Sequence, residues 1–237
     1  MSGRQFDPAQ SEWMDRDQPV SRELELDLAN LAAINRHFGG RRIWRHFAQR
    51  WLQPRRHYRI IDFGTGGGDG PRCIVDCARR LGSTVEIIAV DAQPATLELA
   101  AKWSTGYPEI QFRRANILAA DSVFEEGFDF AFCSLALHHF STSDATAILR
   151  RLRSAARRGA MASDLRRGFA CRAGAWLVTA TLYRAAMTKH DARMSARRAF
   201  SFREMRALVQ SADWPAFGHR AFAVGRQAVW WEASEAI

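Results

Sequence analysis

The residues best suited to chemistry lie in a glycine-rich turn between a strand-like run and a helix. The run Arg59–Phe63 is followed by the alternating glycines Gly64, Gly66 and Gly68, and a helix is expected to begin near Asp69. Because glycine has no Cβ, it lets the backbone reverse sharply and come close to a ligand. The turn therefore predicts a binding site for a cofactor that carries a nucleoside.

The spacing of these glycines argues against a dinucleotide cofactor. The pattern Gly-x-Gly-x-x-Gly needs Gly or Ala at its sixth position. Counted from Gly64 that position is Asp69, and counted from Gly66 it is Pro71. An NAD-dependent oxidoreductase is therefore disfavoured.

A second acidic residue ends the next strand-like run. Val85–Val90 leads into Asp91, 23 residues after Gly68. In nucleoside-binding α/β units, an acid at the tip of the second strand accepts hydrogen bonds from the ribose hydroxyls. Pro94 then suits the first turn of a helix, where its missing N–H is not needed. Asp91 is the expected ribose ligand, and capping of that helix is a compatible structural role.

Two further strand-like runs complete the predicted sheet edge. Ile110–Ala115 is followed by Asn116–Leu118, and Phe128–Ser134 runs towards His138 and His139. Strands that alternate with helices predict a parallel sheet covered on both faces. The carboxyl ends of these strands, and the polar residues after them, are therefore expected at one edge.

The spacing Asp-x-Gly-x-Gly-x-Gly, from Asp62 to Gly68, resembles motif I of the class I S-adenosylmethionine-dependent methyltransferases. The resemblance covers about Arg59 to Leu165, with the strand ends that face the cofactor in order. It implies an α/β fold with a Rossmann-like, seven-stranded, mostly parallel sheet and helices on both faces. An N-terminal helical cap and a helix inserted after the fifth strand would complete it. The implied cofactor is S-adenosyl-L-methionine.

The same resemblance assigns cofactor contacts. The glycine turn would meet the methionine part, while Ala92 and Ile117 would wall the adenine and Ser134 would lie beneath the sulfonium. Asn116 stands where related enzymes often carry an acid that binds the adenine amino group, and its amide oxygen can still accept a hydrogen bond. The implied cofactor-binding residues are Asp62, Gly64, Thr65, Gly66, Gly68, Asp91, Ala92, Asn116, Ile117 and Ser134.

Three histidines are the catalytic candidates. His138 and His139 follow the fourth strand, and one of them is expected to face the cofactor pocket while the other packs or meets solvent. The stretch Thr188–Phe200 is similar to bacterial methyltransferases that act on polyketide or phenolic compounds. In it, His190 could be the general base for a phenol or enol, whose pKa is too high for spontaneous ionisation. Capping of a helix end is the alternative role, and no hydrogen bond between His190 and its neighbour Asp191 is expected.

We interpret residues 1–237 as a single methyltransferase domain in four sections. These are 1–56 (a loose leader to about residue 20, then the helical cap), 57–165 (the cofactor-binding core), 166–200 (the lid insertion) and 201–237 (a C-terminal helix and hairpin). The C-terminal helix should begin with a capping box of Ser201 and Glu204, and the hairpin should turn at Gly225. Phe169–Met187 is expected to form one long apolar helix. The predicted lid over the acceptor is lined by Trp44, Phe47, Trp51, Trp176, Leu177, Leu182 and Tyr183.

Composition limits the partners. The net charge is +9, but only Lys102 and Lys189 are lysines and the arginine pairs are scattered, which is typical of solvated faces rather than a nucleic-acid footprint. Arg172 and Arg184 interrupt the one long apolar stretch, so no membrane span is expected.

The four cysteines lack further ligands at metal-binding spacing, so no metal site is expected. The N-terminus has no signal peptide, which indicates a cytoplasmic protein. The sequence leaves the oligomeric state open, and a homodimer is one of the alternatives.

The sequence therefore predicts a methyltransferase of secondary metabolism that acts on a small phenolic or polyketide-like acceptor, at oxygen. Methylation of carbon on a quinol or polyketide ring, and a non-catalytic cofactor-binding protein of the same fold, are the alternatives. An amino methyltransferase acting on bases would carry Asp/Asn-Pro-Pro-Tyr/Phe after the fourth strand, where Ser134–Leu137 stands instead. A cytosine-5 enzyme would need a cysteine after a proline, and none of the four follows one.

Overall fold

The computed structural model describes residues 3–119 and 121–234, and its centre is a seven-stranded sheet. The strands are His57–Phe63 (β1), Thr84–Asp91 (β2), Ile110–Arg114 (β3), Phe128–Ser134 (β4), Ala156–Leu165 (β5), Gly218–Phe222 (β6) and Arg226–Glu232 (β7). The α-helices are Arg22–His37 (α1), Gly40–Trp51 (α2), Asp69–Leu81 (α3), Pro94–Trp103 (α4), Thr142–Ala155 (α5), Phe169–Thr181 (α6), Ala186–Arg198 (α7) and Phe202–Ser211 (α8). Short 3-10 helices lie at Trp13–Asp15, Ser122–Glu125 and Leu137–His139.

The strand order is β3-β2-β1-β4-β5-β7-β6. The first five strands pair in parallel, and β7 pairs antiparallel with both β5 and β6. This confirms the predicted Rossmann-like α/β fold. The order reverses between β1 and β4, and α/β proteins bind ligands in the crevice that such a reversal opens at the carboxyl ends of the strands.

Local sequence patterns account for the central elements. Ile60, Ile61 and Phe63 of β1 are fully buried, as expected for a strand covered by helices on both faces. The capping box predicted for α8 is confirmed, because Ser201 Oγ accepts the Glu204 N–H and Glu204 Oε2 accepts the Ser201 N–H at 2.7 Å. The C-terminal hairpin also turns where predicted, with Gly225 between β6 and β7.

The N-terminal segment is not the loose leader that its polar composition suggested. Glu12 is only 2% exposed, and the backbone N–H groups of Trp13 and Met14 donate to the two carboxylate oxygens of Asp191 at 2.8 and 3.0 Å. Farther upstream, Arg4 donates to the carbonyl oxygens of His138 and Phe140. These long-range contacts order the segment across the carboxyl edge of the sheet.

The expectation of one long helix over Phe169–Met187 is wrong. Helix α6 ends at Thr181, and α7 begins at Ala186 and packs against it. Apart from Arg172 and Arg184 the stretch is nearly all apolar or small, so its periodicity does not reveal where the chain turns. Within the described residues, no helix is both long enough and apolar enough to cross a membrane.

Candidate active site

A cavity of about 940 Å³ lies at the carboxyl ends of β1, β2 and β4. Its walls come from the N-terminal segment, α1, the loops after these strands, α6, α7 and the β6–β7 turn. Most residues implied by the sequence are brought together there. Those that line it are Asp62, Gly64, Thr65, Gly66, Asp91, Ala92, Asn116, Ile117, Ser134, His138 and His139. Gly68 instead caps the start of α3, and His190 lies outside the lining.

The glycine turn forms a cradle that opens into the cavity. Gly64, Gly66 and Gly68 all have positive φ, at 67°, 53° and 73°, the left-handed region that favours glycine. A Cβ placed on Gly66 would meet no atom within 4 Å, so the space beside this residue belongs to the cavity. A ligand can therefore approach the backbone closely here, as the spacing of the glycines predicted.

Asp91 joins the glycine turn to the second strand. Its Oδ2 accepts the Gly66 N–H at 2.9 Å and its Oδ1 accepts the Gln93 N–H at 3.0 Å, so the carboxylate also fixes the start of α4. Each carboxylate oxygen has a second lone pair that remains for a ligand. Thr65, whose side chain lies beside the Asp62 carboxylate, offers another polar group here. These groups suit a ligand that carries hydroxyls.

The carboxylates around the glycine turn are unusually easy to protonate. Burial, together with the nearby carboxylates of Asp69 and Asp91, raises the pKa of Asp62 to about 7. Burial also raises the pKa values of Asp69 and Asp91. Burial disfavours a charged carboxylate unless a positive charge comes close. A cationic ligand would supply that charge, so the electrostatics of this end of the cavity favour a cation.

A buried arginine, which the sequence reasoning missed, also lines the cavity. Arg226, at the start of β7, donates from Nη2 to Asn35 Oδ1 at 2.9 Å and from Nε to the Phe38 carbonyl at 2.8 Å. Asn35 in turn donates to Asp69 Oδ2 at 3.0 Å. Burial lowers the pKa of Arg226 to about 10, so the guanidinium stays charged at neutral pH. It gives the cavity a fixed positive charge close to the glycine turn.

Both histidines after β4 are held by carboxylates. His138 Nδ1 lies 2.6 Å from Asp164 Oδ1, and the His138 backbone N–H donates to Asp164 Oδ2 at 2.9 Å. His139 Nδ1 lies 2.6 Å from Asp15 Oδ2. The two imidazole rings are 4.2 Å apart between centroids. These contacts fix both rings in orientation, with their Nε2 atoms on the side of the N-terminal segment.

Glu12 completes this group, which we call the His–Glu cluster (Glu12, His138 and His139). Glu12 carboxylate oxygens lie 3.6 Å from His138 Nε2 and 4.0 Å from His139 Nε2, and Ser195 donates its hydroxyl to Glu12 at 2.8 Å. Burial raises the pKa of Glu12. Burial alone would lower the pKa of His139, but the carboxylates of Asp15 and Glu12 raise it to about 10. Polar chemistry is therefore concentrated at one point of the cavity wall.

Glu12 and Asp15 could not be found from the sequence, because no local pattern marks them. They lie more than 120 residues from the histidines they meet. The signal available in hindsight is a polar segment with two acids flanking Trp13 and Met14. Only the return of the N-terminal segment to the sheet edge makes these acids part of the site.

His190 has a different environment from the other two histidines. It lies in α7, where its ring stacks on Trp13 with centroids 4.4 Å apart and its Nδ1 lies 2.7 Å from Asp191 Oδ1. The expectation that these neighbouring side chains would not hydrogen-bond is therefore wrong. Asp191 also accepts the Trp13 and Met14 N–H groups, so His190 supports the segment that carries Glu12 and Asp15.

The inserted helix covers the cavity with small residues rather than aromatic ones. Trp176, Leu177 and Leu182 are 58%, 57% and 65% exposed, on the outer side of α6 and its C-terminal end. The inner side presents Ala170, Cys171, Gly174, Ala175, Val178 and Thr179. Of the predicted lid residues, Trp44 lines the cavity, whereas Phe47 and Trp51 pack in the core. The expected aromatic wall from α6 is therefore wrong.

Comparisons with known proteins relate this chain to methyltransferases. Residues 60–159 match a family described as a methyltransferase domain. No curated protein matches the sequence significantly. Similar folds occur in solved structures that are 12–18% identical to this chain, a level of identity that shows the fold alone.

Three of these structures illustrate the similarity. The plantazolicin methyltransferase BpumL, in complex with SAH, is 14% identical, with a TM-score of 0.64 over 90% of this chain and 91% of its own. An O-methyltransferase family 2 protein from Planctomyces limnophilus, in complex with apigenin, is 16% identical, with a TM-score of 0.63 over 90% of this chain and 62% of its own. The CMeT domain of the citrinin polyketide synthase is 12% identical, with a TM-score of 0.55 over 75% of this chain and 46% of its own.

Proposed function

Because this chain carries a methyltransferase domain with the class I fold, we propose that it transfers the methyl group of S-adenosylmethionine to a small phenolic or polyketide-like acceptor, at oxygen. The observation that carries the proposal is a single cavity in which the glycine cradle and the His–Glu cluster both form part of the wall. Similar folds solved with SAH and with apigenin support the cofactor and the acceptor class.

The cradle end of the cavity suits the cofactor. Asp91 would accept the ribose hydroxyls, and the open space beside Gly66 would take the methionine chain. Arg226 would pair with the methionine carboxylate, while Asp62 and its neighbours would face the positive charges of the ligand. When bound, the cofactor supplies a methyl group on a sulfonium, already activated towards nucleophiles.

The rest of the cavity suits a second, smaller ligand. Pockets for one small molecule typically measure about 300–1,000 Å³, and this cavity of about 940 Å³ lies at the upper end of that range, which supports a small acceptor bound beside the cofactor. The apolar inner side of α6 would contact the flat or alkyl-bearing body of the acceptor. Its hydroxyl would reach the His–Glu cluster, which would hold the oxygen as its anion in line with the methyl group. Alignment of the two reactants would supply much of the rate enhancement.

In this proposal the three histidines act differently. His138 and His139 touch the acceptor side of the cavity, whereas His190 is a positioning residue that acts through Asp191 and the N-terminal segment. We therefore expect His139→Ala to lower turnover by about 100-fold or more, in the usual range for loss of a proton-handling group. His190→Ala should lower it much less and should reduce thermal stability, because the stacking on Trp13 is lost.

The decisive experiment combines binding and turnover. Calorimetry should detect binding of S-adenosylhomocysteine but not of NAD. Labelled S-adenosylmethionine should then methylate members of a panel of phenols, pyrones and quinols, with His139→Ala and His190→Ala assayed in parallel. Binding of NAD alone would overturn the cofactor assignment, and equal turnover in wild type and His139→Ala would remove the cluster from the reaction.

The methylated atom is read from the product. Carbon methylation of a quinol or polyketide ring has support in the fold shared with the citrinin CMeT domain, and an enol held as its anion can react at either atom. NMR of the product distinguishes an O-methyl from a C-methyl group. We further propose a role in cytoplasmic secondary metabolism, in keeping with an acceptor of this class.

A further inference from the structure

The His–Glu cluster presents three electron-pair donors to one point. The Nδ1 atoms of His138 and His139 each lie 2.6 Å from a carboxylate oxygen, of Asp164 and Asp15 respectively. An ionised carboxylate only accepts hydrogen bonds, so each ring donates its Nδ1–H and leaves Nε2 as the atom that can bind a metal ion. Both Nε2 atoms face the Glu12 carboxylate. A metal ion at this point would displace the second proton that the carboxylates of Asp15 and Glu12 favour on His139.

These donors have the geometry of a metal site. One ligand atom from each of Glu12, His138 and His139 lies within 4.8 Å of the other two. With metal–ligand bonds of about 2.0–2.1 Å, ligand atoms around a tetrahedral ion are about 3.4 Å apart. His138 Nε2 lies 3.6 Å from Glu12 Oε1 and His139 Nε2 lies 4.0 Å from Glu12 Oε2, so these two distances are within a few tenths of an ångström of the value for a bound ion.

The residues behind the donors also fit a metal site. Histidines that bind metals usually donate their other ring N–H to a carboxylate or carbonyl, which fixes the ring and makes it a better ligand. Asp164 and Asp15 serve both rings in this way. Asp164 is further anchored by the backbone N–H groups of His138 and Leu165. Hydrogen bonds at Nδ1 thus fix both histidine rings, with their Nε2 atoms directed at Glu12.

We propose that Glu12, His138 and His139 bind a divalent first-row transition metal ion. Two imidazoles with one carboxylate favour ions such as Zn²⁺, Fe²⁺ or Mn²⁺ over Mg²⁺ and Ca²⁺, which prefer oxygen ligands throughout. The three ligands line the cavity, so the remaining coordination positions face the acceptor chamber. There the ion would bind the acceptor oxygen and favour its anionic form, a role that rests on the proposed function.

The test is metal binding by the chelator-stripped, full-length protein. Co²⁺ should produce visible absorption bands with a stoichiometry of one, and calorimetry should show one Zn²⁺ site. His139→Gln should weaken binding at least about 100-fold, and Asp164→Asn should weaken it about 10–100-fold, as expected for loss of an outer hydrogen bond. The matched control is His57→Gln, because His57 is another histidine beside a carboxylate, 3.8 Å from Glu86, and it should bind like wild type.

Calorimetry of S-adenosylhomocysteine on the same samples separates the two proposals and reports on folding. If wild type binds this ligand but takes up no Co²⁺ or Zn²⁺, the metal site is refuted and the proposed function stands. Equal Co²⁺ binding in His139→Gln and wild type also refutes it. Metal uptake without binding of S-adenosylhomocysteine would support the metal site and refute the proposed function.

Discussion

Replacement of Asp91 by alanine tests the cofactor site directly. In the proposed complex this carboxylate binds both ribose hydroxyls while it holds the Gly66 and Gln93 N–H groups at 2.9 and 3.0 Å. A hydrogen bond to a charged group contributes about 1.5–3 kcal/mol. Two ribose contacts at the lower limit give about 3 kcal/mol, which corresponds to a rise of about 160-fold in the Kd for S-adenosylhomocysteine.

The same substitution also affects the protein itself. Two partly buried N–H groups lose their acceptor, and the penalty for each is at most that of a fully buried group left without a partner, about 1–3 kcal/mol. The melting temperature should therefore fall, and binding must be measured well below it. Asp91→Asn keeps one acceptor oxygen, so we expect a Kd increase of only about tenfold and a smaller loss of stability, if one of the two ribose contacts is retained.

Ribose-modified ligands distinguish a direct contact from a distorted turn. Calorimetry should show weaker binding of 2′- and 3′-deoxy analogues of S-adenosylhomocysteine to wild type. Asp91→Asn should discriminate less between these analogues and the parent ligand, because the two changes remove the same interaction. Asp129→Asn is the matched control, since Asp129 accepts the Arg59 N–H at 2.9 Å near the start of β4. A folded Asp91→Ala protein whose Kd lies within threefold of wild type would refute the reasoning.

Three further predictions concern the same end of the cavity. Gly66→Ala should lower the free energy of unfolding by about 1–2 kcal/mol, because the φ of 53° at this position is left-handed, and thermal melts would show this loss. The added methyl group enters the space assigned to the methionine part of the cofactor, so calorimetry should detect no binding of S-adenosylhomocysteine. The raised pKa of Asp62, about 7, predicts that a cationic ligand binds about tenfold tighter at about pH 8 than at about pH 6, since the carboxylate ionises over that range. Asp62→Asn should show a much weaker pH dependence, set by Asp69 and Asp91, whose pKa values are also raised. In the ligand-free protein, the free energy of unfolding has the opposite pH dependence. The stability that protonated Asp62 contributes is complete below about pH 4 and is lost as pH rises through about 7. Arg226→Met should weaken the binding of S-adenosylhomocysteine about 10–100-fold, while the affinity for its decarboxylated analogue should stay nearly unchanged. Equal losses of affinity for both ligands would contradict a contact between Arg226 and the ligand carboxylate.

The sequence alone determined the end of the cavity that we assign to the cofactor. Alternating glycines between a buried strand and a helix allow one kind of turn, and an acid at the end of the next strand must reach the same sheet edge. Asp62, Gly66 and Asp91 therefore lie together, as predicted. The capping box of Ser201 and Glu204 is equally local. These features depend on residues a few positions apart, or on the order of parallel strands, and both can be read directly from a sequence.

Only the tertiary structure decided the end of the cavity that we assign to the acceptor. Glu12 and Asp15 meet His138 and His139 because Asp191 binds the backbone of the N-terminal segment and draws it across the sheet edge. No periodicity records such a contact, because its partners come from separate elements. The apolar stretch after β5 was equally undetermined, since a segment with so few polar residues specifies neither its inner face nor the point where the helix ends. Packing against the rest of the chain supplied both, and with them the wall of the cavity.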